Sequence, residues 1–158
     1  WAYCQCAGGR GAVAGSYYKG EGGQILDDEG FFDTGDVATI DENGYMQITD
    51  RSKDVIKSGG EWISSIDIEN FAVGAQGVAV AAVIGIPHPK WDERPLLIIE
   101  CAKDCTPHPQ DILAHLNGKI AKWWMPDAVE FVENIPLGAT GKINKLALRE
   151  MFKDYCFK

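Results

Sequence analysis

Two apolar runs constrain this chain more than any other feature. "VAVAAVIGIP", from Val78 to Pro87, and "LLIIECA", from Leu96 to Ala102, are continuous and rich in Val and Ile. A strand with one wet face alternates apolar and polar residues, so unbroken runs read as strands covered on both faces. "HPKWDERP" between them reads as a polar loop. The cover has to come from helices. Ser64-Ser65-Ile66-Asp67 approximates a capping box, followed by Ile68, Phe71 and Ala72 at helical spacing and a stop at Gly74. Pro109 opens a second helix on which Ile112, Leu113, Leu116 and Ile120 share a face. "AVEFVENIP" returns to strand, and a last helix is expected to turn Ile143, Leu146, Ala147 and Met151 inward. From residue 54 the order is short strand, helix, strand, strand, helix, strand, helix. The fold class is therefore α+β, a small domain with a central β-sheet flanked by helices.

The upstream texture differs. The first thirty residues hold eight of the eighteen glycines and little periodicity, so they read as the edge of a larger body and the chain as something cut from a longer protein. From Phe31, "VATI" and "YMQIT" flank Asp41-Glu42-Asn43-Gly44, where Asn-Gly favours the positive φ angles of a tight hairpin. The hairpin runs into "DRSKD", a charged stretch suited to a solvated joint. Residues 1–50 thus read as the end of one unit and 51–158 as a second, with the joint near Lys53.

Fifteen basic against twenty-three acidic residues leave a net charge of −8, which argues against nucleic acid or an anionic membrane as partner. No apolar run reaches the roughly 20 residues of a transmembrane span, and the start carries no signal-peptide pattern. Five cysteines suit reduced thiols and a cytoplasmic setting. Cys4 with Cys6 and Cys101 with Cys105 have poor spacing for zinc, so no metal site is assigned. His88, His108 and His115 have no acid or metal partner at readable spacing and are taken as structural.

Near the end, "IPLGATGKINK" nearly spells a phosphate-binding loop. Gly141 and Lys142 fit the GxxxxGK[ST] pattern, but Pro136 stands at its first glycine and Ile143 replaces the hydroxyl that would hold magnesium. Together with "DTGD" (Asp33 to Asp36) and "ITDRSKDVIKSGGEWISSIDIE" (Ile48 to Glu69), "PLGATGK" forms an ordered set. The set resembles the C-terminal third of the adenylate-forming enzymes: acyl-CoA synthetases, peptide-synthetase adenylation domains and firefly luciferase. "IKSGGEWISS" and "IPHPKWDERPLL" look most like the medium- and long-chain fatty acyl-CoA synthetases.

The resemblance implies a two-step reaction in which a fatty acid and ATP give acyl-adenylate and pyrophosphate, and coenzyme A then captures the acyl group and releases AMP. It also implies that the C-terminal domain turns about a hinge between the steps. By resemblance Lys53 is the hinge, and Asp36 accepts hydrogen bonds from the ribose hydroxyls of ATP or AMP. Good turn chemistry in "DTGD" is the alternative for Asp36. Arg51 lies near the ribose and adenylate; its alternative is a surface ion pair with Asp50 or Asp54. Lys57, Gly59 and Gly60 border the coenzyme A tunnel or make only a tight turn. Trp62 covers nucleotide or pantetheine, or packs in the core. Lys142 is the catalytic residue, its ammonium bridging the substrate carboxylate and the α-phosphate; the plain alternative is a solvated lysine at a helix start.

The phosphate loop, the acyl pocket and the Mg2+ ligands of the family belong to an N-terminal part expected as this chain's partner, and the chain alone is not expected to make acyl-adenylate. Two other readings stand beside the leading one. One is a ligase or adenylation domain for another carboxylic acid, and the other is a non-catalytic acidic interaction domain that keeps the fold.

Overall fold

The structure, a computed structural model, describes the backbone of residues 3–8, Ser16, Lys19 and residues 23–157. It divides into two compact units, one ending at Lys53 and the other beginning at Asp54.

The first unit is a three-stranded antiparallel sheet, in the order β1 (Tyr3–Gly8), β2 (Phe32–Ile40), β3 (Met46–Arg51). β1 was not expected, because the glycine-rich start carries no strand pattern; the ladder along β2 supplies its pairing. Most of the expected unanchored edge, up to Gly22, otherwise falls outside the described residues. The β2–β3 hairpin forms where expected, but with different turn chemistry. Asp41 Oδ1 accepts from the N–H groups of Asn43 and Tyr45 at 2.9 and 2.8 Å, and Gly44 takes φ +85. Asn43 keeps a negative φ, so one left-handed glycine closes a longer loop where a two-residue turn would need two such residues. The ladder slips between Val37 and Ala38, which breaks the strand's alternation and lets both side chains be buried.

The second unit is a five-stranded mixed sheet. β4 (Ile56–Ser58) and β5 (Glu61–Ile63) form a small hairpin, β6 (Val78–His88) and β7 (Asp92–Cys101) a long one, and β8 (Ala128–Val132) pairs parallel to β7. The expected single short strand is thus a hairpin, since Gly59 and Gly60, at φ +59 and +85, turn the chain back. The loop expected at "HPKWDERP" shrinks to Pro89–Trp91, the polar residues on both sides continuing the β6–β7 ladder.

The two continuous apolar runs split by parity into two cores. Ala81, Val83, Leu97 and Ile99 face α1 (Ser65–Val73) and α2 (Pro109–Leu116), together with Ile68, Ala72, Ile112 and Leu116. Ala82, Ile84, Leu96 and Ile98 face the other way, onto Ile135 and onto Leu148 of α3 (Lys145–Met151). Each fully buried Leu or Ile contributes roughly 1.5–3 kcal/mol; the one charged residue in the two runs, Glu100, is only partly buried and accepts from the Ile135 N–H at 2.8 Å.

The helix caps follow the sequence. Ser64 accepts from the Asp67 N–H at 3.2 Å, and Pro109 occupies the first turn of α2 behind a His108 cap. Two faces differ from expectation. Phe71 is exposed while Ile68 and Ala72 are buried. On α3 only Leu148 is buried, whereas Leu146 is 76% exposed and Met151 58%. Leu146 lies two residues, about 200°, around the helix from Leu148, so both cannot face the sheet. Beyond α3 the tail packs on the second core through Phe152, Tyr155 and Phe157. Tyr155 Oη donates to Glu130 Oε1 at 3.0 Å, and burial, then the Glu130 carboxylate, raises its pKa above the ordinary tyrosine value.

Candidate functional site

Asp33-Thr34-Gly35-Asp36 lies within β2 and puts a local kink into the strand. Gly35 takes φ +69, the Asp33 carboxylate accepts from its N–H at 2.8 Å, and Thr34 Oγ1 accepts from the Asp36 N–H at 3.3 Å. Asp33 and Thr34 therefore stabilise the kink, and the Asp36 carboxylate is directed elsewhere. β2–β3 register sets Arg51 opposite Asp36, with Nε 3.3 Å from Oδ1. The Arg51 side chain is 66% exposed and Asp36 21%. Neither expected alternative partner holds the guanidinium: buried Asp50 accepts from the Arg51 backbone N–H at 2.8 Å, and Asp54 pairs with Arg149 at 2.6 Å. Lys53 is exposed and ends the first unit.

In the second unit, β4 and β5 alternate faces. Ile56 and Ile63 pair inward, while Lys57 and Trp62 pair on the outer face, Lys57 exposed and Trp62 half-buried. The Gly59-Gly60 turn is braced by a residue not anticipated, Trp91. The Gly59 N–H donates to the Trp91 carbonyl at 2.9 Å, and a Cβ on Gly59 would stand 2.8 Å from Trp91 Cε3. Lys90 Nζ lies 4.7 Å over the same ring.

Beside this turn is a cavity of about 350 Å³, lined by Gly59, Glu61, Trp91, Arg94, Trp123 and Asp127. Arg94 fixes its floor. Its guanidinium donates to Asp127 Oδ1 at 2.7 Å, to Ser58 Oγ at 3.2 Å, and to the carbonyls of Trp123 and Met125 at 2.9 Å. Trp91 and Arg94 went unassigned because "WDERP" looks like solvated loop; no local pattern announces partners some thirty residues away.

Lys142 sits on a closed turn. The Gly138 N–H donates to the Lys142 carbonyl at 2.7 Å, the Gly141 N–H to the Gly138 carbonyl at 2.9 Å, and the Asn144 N–H to the Pro136 carbonyl at 2.8 Å. Leu137 and Ile143 bridge across its base, and Gly141 takes φ +76. Asn144 caps α3 by accepting from the Ala147 N–H at 3.1 Å. Lys142 thus lies before the cap and not at a helix start, and the glycines build a tied turn. The side chain is exposed, and among the described residues its ammonium has no hydrogen-bond or ion-pair partner.

Behind the turn, α3 is fastened by charge. Lys145 Nζ lies 2.8 Å from Glu69 Oε1 and also donates to Ser65 Oγ, and the same Glu69 oxygen accepts from the Val83 N–H at 2.8 Å. Both charged side chains are nearly buried, at 10% and 13% exposure.

Among the described residues no group of three or more His, Cys, Asp or Glu could hold a metal ion, and no helix is long and apolar enough to cross a membrane. Cys101, Cys105 and Cys156 are free thiols; the side chains of Cys4 and Cys6 lie outside the described residues. His108 caps α2, and His115 Nε2 lies 2.7 Å from Lys119 Nζ.

Residues 67–142 match the family described as AMP-binding enzyme C-terminal domain. The chain is 59% identical over 142 residues to a 3-methylmercaptopropionyl-CoA ligase of Ruegeria pomeroyi, covering 90% of this chain and 26% of that protein. It is 49% identical over 146 residues to a long-chain-fatty-acid–CoA ligase of Thermus thermophilus, covering 90% and 27%. Among solved structures, ATP-bound MatB from Rhodopseudomonas palustris superposes with a TM-score of 0.74 at 38% identity, covering 82% of this chain and 26% of that one. The chain spans about a quarter of the length of the curated relatives it matches.

Proposed function

The chain carries the C-terminal domain of the AMP-binding enzymes, and from this premise we propose that it is the moving part of an AMP-forming acid–CoA ligase. In that enzyme a carboxylate oxygen attacks the α-phosphorus of ATP and pyrophosphate leaves. The coenzyme A thiolate then attacks the acyl carbon and AMP leaves. The acid is a straight-chain carboxylate: a fatty acid on the Thermus likeness, with 3-methylmercaptopropionate beside it on the Ruegeria likeness.

The observation that carries this reading is Lys142, an exposed ammonium with no partner among the described residues, on a turn whose backbone is tied at both ends. A lysine that only solvated the surface would not need such a mount. A positive charge fixed in advance stabilises the charge that develops between carboxylate and α-phosphate without reorganising as the reaction proceeds. Asp36 and Arg51 serve the ribose and adenylate, Lys53 is the hinge, and Lys57, Gly59, Gly60 and Trp62 border the pantetheine path. Magnesium would offset the phosphate charge, held by residues outside this chain.

The test is made on the whole enzyme that contains this chain. Lys142→Ala is expected to lower acid-dependent pyrophosphate release about 10²- to 10³-fold while leaving thioester formation from preformed acyl-adenylate within about twofold. Unchanged pyrophosphate release would sink the assignment; no thioester formation with straight-chain acids but formation with another carboxylic acid would favour a ligase for that acid, and none with either would favour a non-catalytic domain.

A further inference from the structure

The proposed hinge reaches the two working faces of the second unit by unequal routes. From Lys53 the chain needs only Asp54, Val55 and Ile56 to arrive at Lys57 on β4, so the Gly59-Gly60 turn is tied covalently to any rotation at the joint. The Lys142 turn lies at the far end of the unit's sequence, and its orientation depends on how α3 is seated. That seat is slender, since Leu148 is the single buried residue of the helix.

Two charged residues one turn apart on α3, Lys145 and Arg149, hold its polar face. Lys145 is fixed to Glu69 and Ser65 of α1. Arg149 reaches Asp54, the first residue of the second unit, with its Nη2 2.6 Å from Oδ1 and side chains 31% and 22% exposed. Leu148, with partly buried Ile143 and Phe152 at the two ends, seats the helix along one line, and two ion pairs spaced along its polar face oppose roll about that line.

We propose that Asp54 and Arg149 are positioning residues for the adenylation step. Their ion pair couples the joint to the helix that carries the Lys142 turn, so rotation at Lys53 delivers the ammonium in register. The Gly59-Gly60 turn does not use this link. The inference rests on the ligase reading and assigns neither residue to contact with substrate.

The experiment separates the two half-reactions in the whole enzyme. Asp54→Asn and Arg149→Met are each expected to slow acid-dependent pyrophosphate release about tenfold in kcat, with the KM for ATP little changed and thioester formation from preformed acyl-adenylate within about twofold. The charge-swapped double variant, Asp54→Arg with Arg149→Asp, is expected to recover most of the lost rate. Equal loss in both half-reactions, no loss in either, or a swap that recovers nothing would overturn the coupling. Thermal melts accompany each variant, so a loss of folding registers as the equal-loss outcome. Lys142→Ala is the control: a parent enzyme with no acid-dependent pyrophosphate release defeats the ligase reading, a Lys142→Ala variant that leaves the release intact defeats the Lys142 assignment, and a damaging Lys142→Ala beside silent Asp54→Asn and Arg149→Met defeats the coupling alone.

Discussion

Arg51 and Asp36 face each other across the β2–β3 ladder, Nε 3.3 Å from Oδ1, with the arginine largely in solvent. An ion pair this exposed adds little to folding, roughly 0–1 kcal/mol. Arg51→Ala is therefore expected to leave the melting temperature nearly unchanged while raising the KM for ATP of the whole enzyme. Asp36→Ala should do the same, and the double variant should lose less than the two single losses combined, because the residues act on one ligand. A melting loss that accounted for the activity loss would return the pair to a structural role.

The Gly59 turn makes a sharper forecast. A Cβ there meets Trp91 at 2.8 Å on a backbone with φ +59, so Gly59→Ala is expected to cost about 1–3 kcal/mol. In a Trp91→Ala background the ring is gone, and the same substitution should cost less, leaving only the backbone strain. Urea unfolding of the four proteins gives the coupling. On activity, Gly59→Ala should slow thioester formation more than pyrophosphate release.

Lys145 and Glu69 are nearly buried, and removing one partner strands the other. Lys145→Met is expected to destabilise the second unit by about 3 kcal/mol. Glu69→Gln should be milder, because the amide oxygen can still accept from the Val83 N–H. Combining the two should restore part of the loss. Chemical denaturation followed by circular dichroism reads all three.

Tyr155 predicts an alkaline effect. Burial and Glu130 raise its folded-state pKa, so the folded chain holds the phenolic proton more tightly than the unfolded chain. The stability this contributes is whole below pH about 10, the ordinary tyrosine value, and is lost as pH rises through the folded-state value. Tyr155→Phe should remove that loss and cost about 1 kcal/mol at neutral pH for the hydrogen bond to Glu130. Urea midpoints between pH 8 and 11 for the two proteins test it.

These elements differ in how openly the sequence declares them. β6 and β7 were legible because continuous Val and Ile runs admit few settings, and the caps at Ser64 and Pro109 are local chemistry. β4 and β5 were not, since three residues are too few to display a period. The α3 face is hard to read for a similar reason: seven residues resting on Leu148 let apolar Leu146 and Met151 point outward. At the candidate site, motif resemblance points to Asp36, Arg51 and Lys142, while the Asp36–Arg51 pairing and the absence of a Lys142 partner among the described residues come from the folded structure alone. Trp91 and Arg94 stayed hidden because their work is long-range, bracing a glycine turn and gathering carbonyls from a later loop.

The parallel pairing of β8 with β7 also dictates an order of assembly. β6 and β7 are joined by a short turn and can close as a hairpin within microseconds. β8 cannot join until the chain has crossed over through α2, a longer and entropically slower closure. Part of the face on which Leu148 and the tail aromatics rest is supplied by Ala128 and Val132 of β8. The arm bearing Lys142 is thus expected to gain its seat last, on a sheet already built, when the domain emerges from a ribosome.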